Sequence, residues 1–316
     1  MQRGCVVMLM GSLGLRVCGA SAADAALAEV PVDTPVLEEI FVEAPEPRYV
    51  APTLRDRIGR VWAPVMINGK GPFRLVLDTG ATTSAIVSSV ADRLGIPTST
   101  SNTTKLHGAT GALMVPYVVA DRIEIGDLLV ENAKLPIVPD VFGGAEGVLG
   151  TQGLGDKRIY IDFRKDLIEI AFSRGKPHPQ GFSSLSFDMA RGRLVMLKLR
   201  VGGVRTQAII DTGAQHTIGN SSLREALLLR HRAVQDADII GVTLDVAQGE
   251  SIATPPIALG DVEIRNLRIT FGDMFIFDHW QLNREPALLI GMDIIASLET
   301  FVIDYKRREV HLRARR

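Results

Sequence analysis

Two aspartates stand where a carboxylate is costly. Asp78 ends the apolar run Phe73-Arg-Leu-Val-Leu77, Asp211 ends Gln207-Ala-Ile-Ile210, and each is followed by Thr-Gly-Ala. The runs read as buried strands and Asp-Thr-Gly-Ala as a polar tight turn. A carboxylate at the end of a buried strand needs hydrogen bonds or a second ionisable group to stabilise it. Two such groups in one chain can be each other's partner. If they meet, like-charge repulsion prevents both from ionising together, and the pair holds one proton near neutral pH. A proton-sharing pair can hold a water molecule, take a proton from it and give one to an amide carbonyl. Asp78 and Asp211 are therefore the candidate catalytic residues, with the roles of acid and base belonging to the pair.

One Asp-Thr-Gly also suits an ordinary turn, and chance alone supplies the tripeptide roughly 0.05 times in a chain this long. The weight comes from what repeats around it. Upstream of each aspartate lies a strand-turn-strand, Val61 to Ile67 with Asn68-Gly69 and Leu194 to Val201 with Gly202-Gly203. Both dipeptides are favoured two-residue hairpin turns. Downstream, Ser89-Val-Ala-Asp92 and Ser222-Leu-Arg-Glu225 predict helix starts, with a Ser cap and an acid three residues on. Gly147-Val-Leu-Gly150 is answered by Leu288-Leu-Ile-Gly291, 72 residues after Asp78 and 80 after Asp211. Each leads to a terminal strand, Ile159 to Phe163 and Phe301 to Tyr305. The chain carries an internal duplication of about 115 residues, the size of one domain.

Each copy resembles a retropepsin-like aspartic protease unit: Asp-Thr-Gly-Ala, a flap hairpin, then two apolar residues and a Gly. The resemblance covers roughly 61–172 and 193–313, and it implies a mostly β, bilobal acid-protease fold. Two retropepsin-like β-barrel lobes with short helices would flank a cleft, with both half-sites on one chain. It further implies that Thr79 and Thr212 interlock across the lobes, and that Gly80 and Gly213 admit the backbone close to the carboxylates. Ala81 and Ala214 match the retroviral pattern, where pepsin-like sequences usually carry Ser or Thr. Gly150 and Gly291 resemble the packing glycines behind the active-site loops. Leu106 to Ala112 fits a flap tip that covers bound peptide, with His107, Gly108 and Gly111 as substrate-binding candidates. Ile240 to Gly249, with Gly241, is the less compact second flap. The implied activity is an aspartic endopeptidase acting on peptide or protein substrates; the alternative is a silent fold that binds peptides in the same cleft.

The rest of the chain fits around these units. Of 316 residues, 46% are apolar and 22% charged, ample for two lobes. A net charge of −1 and 5% aromatics give no footprint for nucleic acid. Met1 to Ala22 has a basic start, an apolar centre and Ala20-Ser-Ala22, which reads as a signal peptide. Export to the periplasm or the medium follows, without stable membrane insertion once the signal is removed, or membrane association if it is retained. Cys5 and Cys18 both lie in that segment, so the mature chain has no thiol. Residues 23–60, with five prolines from Pro31 to Pro52, read as a disordered or extended leader: a tether, a propeptide or a contact segment. The first lobe is placed at 61–172, a linker at 173–190 and the second lobe at 191–316.

Six histidines show no metal-ligand spacing, so neither metal nor cofactor is expected, and the duplication implies a monomer. His216 follows the second Asp-Thr-Gly-Ala closely and is read as a surface residue rather than a cleft residue. Phe271, Phe275, Phe277 and Trp280 fall within ten residues and read either as a core loop unique to the second lobe or as a pocket wall.

Overall fold

The structure, a computed structural model, describes residues 51–52, 59–99, 101–174, 180–190, 193–228 and 234–315. The expected signal and most of the expected leader lie outside the described residues. The fold is mostly β, as the alternating pattern requires. In Leu194–Val201, for example, Leu197, Leu199 and Val201 are buried while Lys198 and Arg200 face solvent. Each lobe starts from a hairpin whose turn lies in the left-handed region, Asn68-Gly69 in one and Gly202-Gly203 in the other. That backbone matches the twist of the flanking strands, and Asn and Gly adopt it at low cost.

In the first lobe, strands Trp62–Ile67, Lys70–Leu77, Gly147–Leu149, Ala85–Val87, Leu128–Val138 and Ala112–Ile125 are neighbours in that order. The last pairs back onto the first, Met66 with Glu124 and Ile67 with Ile123, which closes a six-stranded barrel. The second lobe repeats this order with Leu194–Val201, Val204–Ile210, Ala287–Ile290, Ile218–Gly219, Arg268–Phe271 and Val246–Ala253. Here the long strand is broken at Pro255-Pro256. Its continuation, Ile257–Leu259, makes the closing pairs, Ala258 with Arg200 and Ile257 with Val201. Two consecutive prolines remove two backbone donors, which accounts for the interruption.

The lobes are joined by a sheet that belongs to neither. The hairpin Lys157–Asp162/Leu167–Phe172 pairs with the hairpin Leu298–Asp304/Glu309–Ala314 through Ile161 with Phe301 and Ile159 with Ile303. Both lobes and this sheet fall in one compact unit. The stretch read as an interlobe linker differs from that reading. Ser183–Ser186 forms an edge strand on Glu309–Ala314, and Asp188–Ala190 pairs with Leu194–Val201. Burial of Phe187 between them supplies the driving force. At the opposite edge, Ala51–Pro52 pairs with Leu167–Phe172, so two residues of the expected leader are strand.

The two helix starts also correct the expectation. Helix Ser88–Leu94 is entered directly from strand Ala85–Val87, and its N-cap, Val87, makes no side-chain cap bond. Ser89 is thus inside the helix. The second helix, Ser221–Ala226, is capped by Asn220, whose Oδ1 accepts from Leu223 N at 2.9 Å. Fully buried Asn220 also donates Nδ2 to Leu282 O and Glu285 O, both at 2.8 Å. Ser222 turns its hydroxyl to Asn283 O instead.

Candidate active site

Strands Lys70–Leu77 and Val204–Ile210 each deliver an aspartate to the interface between the lobes. A neighbouring parallel strand anchors each one: Asp78 N donates to Leu149 O and Asp211 N to Ile290 O, both at 2.9 Å. Those strands end in Gly150 and Gly291. A Cβ at Gly150 would lie 2.6 Å from the Thr83 carbonyl carbon, and one at Gly291 2.7 Å from that of His216. No real side chain tolerates such approaches, so the glycines let each turn pack against the strand behind it. Thr151 N to Ala81 O and Met292 N to Ala214 O, at 2.9 Å each, tie the two layers together.

Within each turn the carboxylate is held by its own backbone. Asp78 Oδ1 accepts from Gly80 N at 2.8 Å and Ala81 N at 3.0 Å; Asp211 Oδ1 accepts from Gly213 N at 2.8 Å and Ala214 N at 3.1 Å. The two carboxyls are neighbours, and each enters the ionisation of the other. Burial pushes both pKa values up; for Asp211 the charge of Asp78 pushes further in the same direction. The backbone donors act against burial on both sides.

Thr79 and Thr212 form the crossing. Thr79 Oγ1 donates to Ile210 O at 2.8 Å and accepts from Thr212 N at 3.1 Å. Thr212 Oγ1 donates to Leu77 O at 2.6 Å and accepts from Thr79 N at 3.1 Å. Both are fully buried, so these four bonds have no competition from water. The glycines that follow face the opposite carboxylate. A Cβ on Gly80 would lie 2.6 Å from Asp211 Cγ, and one on Gly213 would strike the Asp78 carboxyl. Gly80→Ala is therefore expected to force the carboxyls apart. Misplacement of reacting groups by about an ångström costs about 100-fold, and kcat should fall at least that far. Unchanged kcat in a folded Gly80→Ala variant would contradict this geometry.

The two hairpins read as flaps meet at their tips. Gly108 lies against Val242 and Thr243, Gly111 against the Asp245 carboxylate, and Gly241 against Thr110 Oγ1. Each glycine leaves only the room that the other tip occupies. The second tip is a turn closed by Leu244 N to Gly241 O at 3.0 Å and Gly241 N to Asp245 O at 3.3 Å. His107 turns toward the second lobe, where its ring stacks on His279 with centroids 4.3 Å apart and on Phe275 at 6.1 Å. Next to it, Ala109 O accepts from Ile276 N at 3.2 Å. The first hairpin is thus seated on helix Phe275–His279.

That contact explains the aromatic cluster. Phe271, Phe277 and Trp280 are core, whereas Phe275 is half-exposed and receives the hairpin. The sequence signal was the density of aromatics; the partner, His107, sits 168 residues earlier. His216 is exposed, 3.9 Å from Asp293 Oδ2. Among the described residues no group of three or more His, Cys, Asp or Glu side chains is arranged to hold a metal, and no helix is long and apolar enough to cross a membrane.

The model of one protein family, described as Aspartyl protease, matches residues 63–152 and again 197–294, so each lobe is matched separately and together they make up more than half of the chain. No curated protein shows a significant sequence match to the chain.

Proposed function

The chain belongs to the aspartyl protease family, and from that premise we propose that it is an exported endopeptidase that hydrolyses peptide bonds with an Asp78/Asp211 dyad. The observation that carries this reading is the facing pair of aspartate turns, in which each carboxyl is braced by two backbone N–H groups, packed against the other turn's glycine and locked by the threonine crossing. With one proton between them, one carboxylate takes a proton from a bound water as that water attacks the peptide carbonyl. The other carboxyl donates its proton to the carbonyl oxygen, which gives a neutral tetrahedral diol. Proton transfer to the amide nitrogen then breaks the C–N bond. Substrate enters only after the first hairpin lifts from helix Phe275–His279 and the tips part.

The test is incubation of the mature protein with a mixed peptide library across pH, with and without a statine-type transition-state mimic. Internal cleavage that the mimic blocks is the expected result. Specific activity should be independent of dilution, because both half-sites lie on one chain and the enzyme works as a monomer. Peptide binding without turnover of any sequence would replace this reading with that of a binding protein.

Activity should trace a bell against pH. The acid limb is the first ionisation of the pair and the alkaline limb the second. Burial raises both carboxyls, and Ala81 and Ala214 bring no hydroxyl to hold the anion. The optimum is therefore expected to be mildly acidic, and a rate still climbing below about pH 2 would contradict it. Export is read from the first 22 residues, so mass spectrometry of the extracytoplasmic fraction should find Ala23 at the N-terminus. Recovery of intact Met1 on soluble cytoplasmic protein would remove this part of the proposal.

A further inference from the structure

Beneath the matched turns one buried position carries a charge in the first lobe and none in the second. In the first lobe Trp62 faces Val76, and Leu77 N donates to Val61 O at 2.9 Å. Carrying that register one step on sets Arg60 opposite Asp78. In the second lobe Met196 faces Ile209, and the same count sets Leu194 opposite Asp211. Directly opposed residues of antiparallel strands share a face and lie about 5 Å apart. Both are buried, Arg60 at 7% exposure and Leu194 at 1%. The register thus gives one dyad aspartate an arginine as its cross-strand counterpart and the other a leucine. The Arg60 guanidinium also lies 5.8 Å from the centre of the Phe142 ring, which helps to fix it in place.

We propose that Arg60 is a positioning residue that breaks the symmetry of the dyad, keeping its single negative charge on Asp78 and its proton on Asp211. The proposal rests on the reading of the pair as a proton-sharing dyad. It assigns Asp78 as the base toward water and Asp211 as the acid toward the carbonyl. A cation on the same face as a carboxyl favours its charged form, and only the Asp78 side of the pair has one at this position. The surroundings agree. Arg60 acts to lower the pKa of Asp78, whereas among the leading influences on Asp211 the charge of Asp78 raises it and no cation opposes that.

Among the described residues, Tyr305 and Arg193 do not compete. The Tyr305 hydroxyl is buried, and burial and then the charge of Asp78 push its pKa well above the ordinary phenol range, so it stays neutral. Arg193, beside Leu194, reaches the Thr151 carbonyl of the first lobe at 3.4 Å.

The test follows the carboxyl carbons of 13C-labelled aspartate in the full chain by NMR, with Asp78→Asn and Asp211→Asn used to assign the two signals. In the unsubstituted protein the first ionisation step should fall on Asp78. Arg60→Leu, which copies the second lobe, should raise that step by about one pH unit or more and carry the acid limb of kcat/KM with it. Arg60→Lys keeps a cation and should hold the limb near its original place. A first step that falls on Asp211, or equally on both, overturns the proposal. So does a folded Arg60→Leu variant whose limb and carboxyl titration do not move, even if its rate drops. Should Arg60→Leu fail to fold, the titration of the unsubstituted protein decides alone. Should no peptide be cleaved, the endopeptidase reading falls, while the carboxyl titration still judges the role of Arg60.

Discussion

Asp78→Asn and Asp211→Asn are each expected to lower kcat by about 10⁴-fold or more, and the double variant is expected to be little worse. An amide in place of either carboxyl can neither share the proton nor exchange roles during the two proton transfers. Both chemical steps therefore lose a participant when one group is lost, which is why the effects should not add. The fold should survive, since an Asn side-chain oxygen can still accept from Gly80 N and Ala81 N, or from Gly213 N and Ala214 N. Stability should move the other way from activity. Both carboxyls have folded pKa values above their ordinary range because burial disfavours the charge. The stability due to the bound proton is fully present below about pH 4, the unfolded carboxyl range, and is lost as pH rises through the folded ionisation. Asp211→Asn removes that loss, so its melting temperature should exceed that of the unsubstituted protein at pH 7 and match it near pH 3. Retained hydrolysis in either single variant would end the dyad reading. A melting temperature lowered at pH 7 would contradict the direction given for the pKa values.

Thr79→Val should destabilise the protein by about 2–5 kcal/mol. Valine has nearly the same shape, so the effect is electrostatic rather than steric. It leaves the Ile210 carbonyl without its 2.8 Å donor and the Thr212 N–H without its 3.1 Å acceptor, both in a fully buried crossing. Each buried polar group stranded in this way costs roughly 1–3 kcal/mol. Thr212→Val strands the Leu77 carbonyl and the Thr79 N–H in the same manner, with the same expected cost. Because all four groups form one network, the double variant should lose less than the sum. Urea denaturation of the two single variants and the double variant measures all three values. The crossing also sets the distance between the carboxyls, so kcat should fall in the variants while the bell-shaped pH profile persists. A midpoint unchanged in both single variants would mean that the terminal hairpins, not the threonines, hold the lobes together.

Much of this molecule is written locally in its chain. Asp-Thr-Gly-Ala after an apolar run, Asn-Gly and Gly-Gly between alternating runs, and an apolar pair before Gly150 and Gly291 each describe a short stretch of backbone whose turn chemistry needs no distant partner. Because every one of them occurs twice, the sequence also specifies two like lobes and nominates Asp78 and Asp211 together. Tertiary structure decided whatever depends on which surfaces meet. The hydroxyl of Thr79 finds Ile210 across 131 positions of chain, and His107 finds His279 only after one lobe has closed on the other. Asn220 displaces Ser222 as a cap because its amide can also reach Leu282 and Glu285 on a neighbouring loop. Arg60 and Leu194 gain meaning only once the register places them opposite the two aspartates. Turn and strand preferences arise from sterics within a few residues. Burial, ring stacking and the stabilisation of a buried charge arise from contacts between segments that the chain order keeps far apart.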